Sequence, residues 1–195
     1  MNFFDDLDKY PHNTAVITNG SKQISYRDLI EVADNIGKQI RSRCLVFIVC
    51  KNCFESVAGY IGFLRAGAVQ ILIHDTIDNV LWVNLLEAYK PEYIFLSTDI
   101  SLSSYNFNIV YSFDSYTLLK TNYEIDYTLH DDLALLLSTS GSTGSQKFVR
   151  QSYSNINSNA EAIAQYLEIS SADRPITTMP MSYTYTLSII NSHLL

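Results

Sequence analysis

Basic residues are scarce in this chain. Its 195 residues include 13 Lys and Arg against 20 Asp and Glu, which gives a formal net charge of −7 at pH 7 and an isoelectric point of about 4.9. A protein that binds the phosphates of a nucleic acid needs a basic surface, so the composition argues against a nucleic-acid partner. Charged residues make up only 17% of the chain and hydrophobic residues 47%, which excludes a chain too polar to form a core.

Long apolar segments are also missing, and cysteines are few. The longest apolar run, residues 44–50, is far shorter than the roughly 20 residues that a transmembrane helix needs. The acidic N-terminus has neither the basic region nor the apolar region of a signal peptide. Three cysteines are too few for a disulfide scaffold and fit a reducing compartment. We therefore expect a cytoplasmic globular protein with no membrane span.

Short apolar segments alternate with helical patterns along the chain. Ser25 and Asp28 form a capping box ahead of a helix, Asn52 is placed to cap a second helix, and Gly67 follows that helix as a stop signal. Further helices are predicted up to about Tyr89, after Ser152 or Ser154, and over 187–195. Strands are predicted over 45–49, 69–73, 93–96, 109–113, 133–137, 148–149 and 176–179. Strands that are apolar on both faces indicate an α/β fold, layered, with a mostly parallel sheet and helices on both faces.

The last apolar pattern continues to Leu195 without a stop signal. A helix interrupted at an apolar face leaves that face without a partner. We therefore expect residues 1–195 to be one portion of a larger domain.

A segment rich in Ser, Thr and Gly follows the predicted strand at 133–137. Two glycines three residues apart allow backbone N–H groups to turn inward, short hydroxyl side chains add donors, and a lysine supplies positive charge. This pattern is typical of an anion-binding loop, although its spacing is neither that of a Walker A loop nor that of a Rossmann fingerprint. The candidate phosphate-binding residues are Thr139, Ser140, Gly141, Ser142, Thr143, Gly144 and Lys147. The alternative interpretation is a flexible Ser/Gly linker.

Five motifs of the chain together resemble one known family. They are Ile24–Leu29, Gly62–Val69, Asp131–Leu137, Thr139–Lys147 and Met179–Tyr183. In type and order they are similar to motifs of the AMP-forming ligases, which include acyl-CoA synthetases, adenylation domains of nonribosomal peptide synthetases and luciferases. The chain departs from the family pattern at Gln146, where the family usually has Pro, and at Thr186, where it usually has Gly.

The resemblance implies an enzyme that activates a carboxylic acid with ATP and Mg²⁺ to an acyl-adenylate and passes it to a thiol of CoA or of a carrier protein's phosphopantetheine arm. It places the loop at 139–147 on the ATP phosphates and Tyr183 in the acyl or adenylate pocket. The family's Mg²⁺-binding Glu, ribose-binding Asp and late catalytic Lys have no counterpart in residues 1–195. We therefore assign no catalytic residue and no metal site to this chain, expect it to be the N-terminal portion of the family's large domain, and expect it to be inactive alone.

Two other interpretations stay open at this stage. Cys50 and Cys53 form a C-x-x-C pair between a strand and a helix, which is the position of a thioredoxin-type redox pair. The chain could thus be a redox module, or a non-catalytic nucleotide-binding module, with a Ser/Gly linker. His74 and Asp75 follow the strand at 69–73 and are candidates for the carboxyl edge of the sheet, where ligands often bind.

Overall fold

The computed structural model describes residues 2–100, 107–138 and 148–195. The strands are β1 Thr14–Ile17, β2 Gln23–Ser25, β3 Leu45–Cys50, β4 Val69–His74, β5 Tyr93–Ser97, β6 Asn108–Phe113, β7 Tyr116–Lys120, β8 Leu133–Ser138 and β9 Phe148–Ser152. The α-helices are α1 Tyr26–Gly37, α2 Phe54–Arg65, α3 Asn79–Tyr89, α4 Tyr153–Tyr166 and α5 Thr184–Leu194. Within these ranges no helix has the length and apolar character to cross a membrane.

The main sheet has seven strands in the order β6-β7-β5-β3-β4-β8-β9. The four central strands β5, β3, β4 and β8 are parallel, and an antiparallel strand extends the sheet at each side, β7 next to β5 and β9 next to β8. Strand β6 then pairs antiparallel with β7, while β1 and β2 form a separate antiparallel pair. The predicted mostly parallel sheet is confirmed, with an antiparallel hairpin on each flank.

Helices cover both faces of the sheet because successive strand residues point in opposite directions. In β3, the buried side chains of Val46 and Ile48 join the core under α1, α2, α4 and α5, whereas Leu45, Phe47 and Val49 join the core under α3. All six residues of β3 are buried, as expected for a central strand with a layer on either side.

Local signals explain where the helices begin and end. The Ser25 hydroxyl accepts a hydrogen bond from the Asp28 N–H at 3.2 Å, and the Asp28 carboxylate accepts one from the Ser25 N–H at 3.3 Å, which forms the predicted capping box of α1. Gly67 follows α2 with a φ of 76°, a conformation that other residues rarely adopt. Helices α1 and α2 approach closely at Gly62, where an added Cβ would lie 2.2 Å from the Ala33 carbonyl oxygen.

Two parts of the predicted secondary structure were wrong or incomplete. Residues 176–179 form no strand; the Ile176 side chain is 77% exposed, and the carbonyl groups of Thr177 and Met179 accept hydrogen bonds from a side chain instead of from a neighbouring strand. Strand β7 was not predicted at all. It returns alongside β6 through a two-residue turn in which Asp114 has a φ of 47°, a conformation that Asp tolerates better than most residues.

Candidate functional site

The carboxyl ends of the parallel strands gather the candidate residues at one edge of the sheet. Strand β3 ends at Cys50, β4 at His74 and β8 at Ser138. Ile71 pairs with Leu136, so β4 and β8 reach the edge within one residue of each other. In open α/β sheets, ligands bind outside the carboxyl ends of the strands. The predicted place of His74 at this edge is confirmed.

The Ser/Thr/Gly segment joins two paired strands at the same edge. Strands β8 and β9 are antiparallel, and Ser138 pairs with Phe148, which are the residues on either side of the segment. The predicted hairpin around 139–147 is thus present. The predicted phosphate-binding residues themselves lie outside the described residues: Thr139, Ser140, Gly141, Ser142, Thr143, Gly144 and Lys147.

An arginine at the opposite end of the sheet holds this hairpin in place. One Nη of Arg43 donates hydrogen bonds to the carbonyl oxygens of Gly67, at 3.2 Å, and Leu133, at 3.1 Å, and the other Nη donates to the His130 carbonyl oxygen. The Tyr153 hydroxyl, at the start of α4, lies 3.5 Å from the same guanidinium. The start of β8 is therefore fixed to Gly67, in the connection that leads into β4, and this holds the two strands in register.

Tyr183 stands beside the end of β4. It precedes α5 as its N-cap, its side chain is about half exposed, and its ring centroid lies 6.5 Å from that of His74 with the rings nearly perpendicular. The His74 ring is itself held by Thr76, whose backbone N–H donates to Nδ1 at 3.1 Å. Two residues singled out separately in the sequence therefore meet at the carboxyl edge of the sheet.

Asn52 has a different role from the predicted one. The N-cap of α2 is Cys53, and the Asn52 side chain caps no helix. Its Nδ2 donates one hydrogen bond to the Thr177 carbonyl oxygen at 3.0 Å and another to the Met179 carbonyl oxygen at 2.8 Å. A helix-capping preference was the only signal visible in the sequence, because the partners are 125 and 127 residues away.

An ion pair between a lysine and an aspartate lies at this edge of the sheet. Lys51 Nζ lies 2.6 Å and 2.8 Å from the two carboxylate oxygens of Asp99. The hydrogen bond from Lys51 lowers the pKa of Asp99 from its ordinary value, so this carboxylate is ionised at neutral pH. The Lys51 ammonium is thus already neutralised by Asp99.

The two cysteines of the C-x-x-C pair do not have the properties of a redox pair. Both are free thiols; Cys50 is fully buried and Cys53 partly buried. Burial raises the pKa of both thiols, whereas a reactive cysteine needs a lowered pKa. Buried thiols of this kind act as small apolar core residues.

No metal centre is formed by the part of the chain that the structure describes. Nowhere in it do three or more His, Cys, Asp or Glu side chains converge on one point. What the described residues provide is a scaffold: the paired strands β8 and β9, which flank the 139–147 segment, an aromatic residue beside the end of β4, and side chains that fix each of them. Such an arrangement can bind and orient a ligand.

The comparisons with known proteins identify a family and a fold. The family model described as "AMP-binding enzyme" matches residues 3–195. Among curated proteins, the chain is 24% identical to bacitracin synthase 2 of Bacillus licheniformis over 186 residues, and 29% identical to tyrocidine synthase 2 of Brevibacillus parabrevis over 154 residues. These matches cover 93% and 75% of this chain but only 7% and 4% of the two synthases.

Two solved structures share the fold over nearly the whole chain. One is o-succinylbenzoate CoA synthetase (MenE) from Bacillus subtilis in complex with the acyl-adenylate intermediate OSB-AMP, with a TM-score of 0.80 and 19% identity. The other is ATP-bound MatB from Rhodopseudomonas palustris, with a TM-score of 0.78 and 19% identity. They cover 99% and 100% of this chain, which spans 53% and 44% of theirs. At these identities the likeness shows the fold.

Proposed function

Because this chain belongs to the AMP-binding enzyme family, we propose that it is the N-terminal portion of the large domain of an adenylate-forming ligase. This chain matches only a part of each of these curated relatives and solved structures, and they extend well beyond that part. The activity proposed here therefore belongs to the whole protein, and residues 1–195 contribute its phosphate-binding segment and one wall of its substrate pocket.

The proposed reaction joins a carboxylic acid to the α-phosphate of ATP. A carboxylate oxygen attacks that phosphorus, the bond to the bridging oxygen of the β-phosphate breaks, and an acyl-adenylate and pyrophosphate form. Negative charge develops on the departing pyrophosphate, so donors that are already in place around it lower the barrier. The thiol of CoA or of a carrier protein's phosphopantetheine arm would then take the acyl group and release AMP.

The observation that carries this proposal is the position of the 139–147 segment. Its sequence supplies five hydroxyls, two glycines and a lysine, and the paired residues Ser138 and Phe148 present it at the carboxyl edge of the sheet. We assign the β- and γ-phosphates of ATP to the hydroxyls and backbone N–H groups of this segment and part of their charge to Lys147. We assign the acid or its adenylate to a pocket lined by Tyr183.

ATP and Mg²⁺ are the proposed co-substrate and metal ion of the whole enzyme. The solved relatives include MatB with ATP and MenE with ATP and a magnesium ion. The described residues of this chain offer no cluster of carboxylates that fits Mg²⁺, so we assign the ion no ligand and no step here. The turnover of this chain alone is expected to be zero, and its cytoplasmic location stays a prediction.

The phosphate-binding role can be tested on the 195-residue chain itself. A site with a dissociation constant of about 1 mM would stabilise the fold by about 1.4 kcal/mol at roughly 10 mM ATP, which raises the melting temperature by about 3–5 °C. We expect this shift in the wild type and in Gly20→Ala, a control in the β1–β2 turn where nothing lies within 4 Å of an added Cβ. We expect it to vanish in the double variant Gly141→Ala/Gly144→Ala.

An equal response of all three proteins would favour the linker interpretation of the segment. An equal response of all three proteins to inorganic tripolyphosphate would point to general screening of charge. Only a loss that is confined to the glycine double variant supports a phosphate-binding loop.

A further inference from the structure

Two side chains donate hydrogen bonds to the same backbone carbonyl group, four residues before Tyr183 in the chain. The Met179 carbonyl oxygen accepts a hydrogen bond from Asn52 Nδ2 at 2.8 Å and another from the Thr186 hydroxyl at 2.8 Å. Asn52 also binds the Thr177 carbonyl oxygen at 3.0 Å with the same amide group. We call these three hydrogen bonds the Met179 clamp. It joins the end of β3 to the first turn of α5.

The segment that the clamp holds has no regular structure of its own. Residues 173–178 form neither helix nor strand, and the side chains of Ile176 and Met179 are 77% and 43% exposed. Exposed backbone that lacks a hydrogen-bonded ladder opens easily. The fixed points of the segment on the sheet side are thus the two carbonyl groups that Asn52 binds.

A short turn connects the clamp to Tyr183. The Tyr183 N–H donates to the Pro180 carbonyl oxygen at 3.0 Å, and the Tyr183 carbonyl oxygen accepts from the Leu187 N–H at 3.2 Å, in the first turn of α5. Pro180 has a fixed φ, which further restricts the turn. A shift of the Met179 carbonyl is therefore passed on to the Tyr183 backbone, and from there to its ring beside His74.

We propose that Asn52 and Thr186 are positioning residues of the substrate pocket, which act by fixing the Met179 carbonyl and so the place of the Tyr183 ring. The role of Tyr183 in that pocket rests on the proposed function; the clamp does not. The hydroxyl of Thr186 matters here because it is the second donor to the Met179 carbonyl oxygen, which it reaches from the first turn of α5. The clamp would narrow the choice of acid by holding one wall of the pocket still.

A competing explanation is that the core side of the turn holds Tyr183 without help. Met181 and Ser182, the two residues before Tyr183, are 1% and 8% exposed. If their burial alone fixed the turn, removing the clamp would leave Tyr183 in place. The experiment must therefore separate the clamp from the buried residues.

Hydrogen exchange of the 195-residue chain, measured by mass spectrometry on peptides that cover 176–187, tests the clamp directly. Asn52→Asp replaces the donating amide by a carboxylate of the same shape, which repels both carbonyl oxygens. A carboxylate next to the start of α2 stabilises that helix, so unfolding of α2 would not explain faster exchange in Asn52→Asp. Thr186→Val removes the hydroxyl at nearly constant volume, Thr186→Ser restores it, and Asn19→Asp makes the same chemical change at an exposed turn.

We expect exchange in this region to accelerate on the order of tenfold in Asn52→Asp and several-fold in Thr186→Val, since each lost hydrogen bond contributes about a factor of two to ten. Thr186→Ser and Asn19→Asp should match the wild type, and peptides from α1 and α3 should be unchanged in every variant. Unchanged exchange in both Asn52→Asp and Thr186→Val would overturn the proposal in favour of Met181 and Ser182.

ATP–pyrophosphate exchange by the full-length protein, with amino acids and with aliphatic and aromatic carboxylic acids as substrates, tests the consequence for the pocket. We expect the KM for the accepted acid to rise about tenfold in Asn52→Asp, with kcat and the KM for ATP unchanged. The KM for the acid should also rise in Thr186→Val and return to the wild-type value in Thr186→Ser. An unchanged KM for the acid together with faster hydrogen exchange would overturn the positioning role. If none of these acids supports pyrophosphate exchange by the wild type, the proposed function fails. The hydrogen-exchange result still decides whether the clamp exists.

Discussion

Gly62 is the point at which α1 and α2 touch, and its replacement by alanine should destabilise the protein. A Cβ at this position would lie 2.2 Å from the carbonyl oxygen of Ala33 and 3.0 Å from its carbonyl carbon. The atoms in the way belong to the backbone of α1, so no side-chain rotation can relieve the contact. The two helices would have to separate by about 1 Å to reach an ordinary contact distance.

The expected cost follows from two opposing effects. An alanine in the middle of a helix is about 1 kcal/mol more favourable than a glycine. Overpacking of a well-filled interface costs about 1–3 kcal/mol, and we take the upper value because backbone atoms are met and because Ala33 and Ile36, both fully buried, lie on the helix that must move. The net destabilisation of Gly62→Ala is therefore about 2 kcal/mol.

Urea unfolding followed by circular dichroism measures this difference. At a slope of about 2 kcal/mol per molar urea, the midpoint of Gly62→Ala should fall by roughly 1 M with the slope unchanged. Gly20→Ala is the matched control, because nothing lies within 4 Å of its added Cβ, and it should raise the midpoint slightly. A Gly62→Ala midpoint equal to or above that of the wild type would show that the helices do not meet as described.

Two further predictions concern the helix cap and the cysteines. Ser25→Ala should cost about 1 kcal/mol of stability, measured by urea unfolding at neutral pH. Hydrogen bonds from Ser25 lower the pKa of Asp28, so their stabilising effect is complete above the ordinary carboxyl pKa of 3.8. The difference in unfolding free energy between the wild type and Ser25→Ala should therefore shrink as the pH falls below that value. A difference that grew there would contradict the cap. With Ellman's reagent at pH 8, only Cys53 should react in the folded protein, and its reaction should be slow because its pKa is also raised. Cys44 and Cys50 should not react because they are buried and their pKa values are raised. All three should react in urea, and fast labelling of Cys50 in the folded protein would support the redox interpretation.

Most of the central sheet could be predicted from the sequence because its signals are local. The capping box at Ser25, the glycine after α2 and the fully apolar run of β3 each act within a few residues of the chain. The hairpin around 139–147 was predicted for the same reason, since a buried strand stands directly before the segment and a second strand directly after it.

The errors arose where partners are distant in the sequence. Residues 176–179 are apolar enough for a strand, but the Asn52 side chain binds their carbonyl groups and no ladder forms on them. Asn52 itself was predicted to be a cap because the amide group that serves at a helix start serves equally well against distant carbonyl groups. Strand β7 was missed because it pairs with two strands, β5 and β6, and because the turn before it has no glycine.

The candidate site was predictable in type and only partly in assembly. Tyr183 and His74 were singled out for separate reasons, and their meeting at the end of β4 depends on the path of residues 177–183 over the sheet. That path is set by Asn52 and Thr186, whose contribution has no pattern of its own in the sequence.

The most direct measurement of the proposed activity is ATP–pyrophosphate exchange by the full-length protein, comparing the wild type with Lys147→Ala. If the segment at 139–147 stabilises the departing pyrophosphate, exchange should depend on a carboxylic acid, and the loss of Lys147 should lower kcat by about 10²–10³-fold. The folded structure should be unaffected, which a matching urea midpoint would verify. Acid-dependent exchange at the same rate in both proteins would contradict the assignment of the ATP phosphates to this segment.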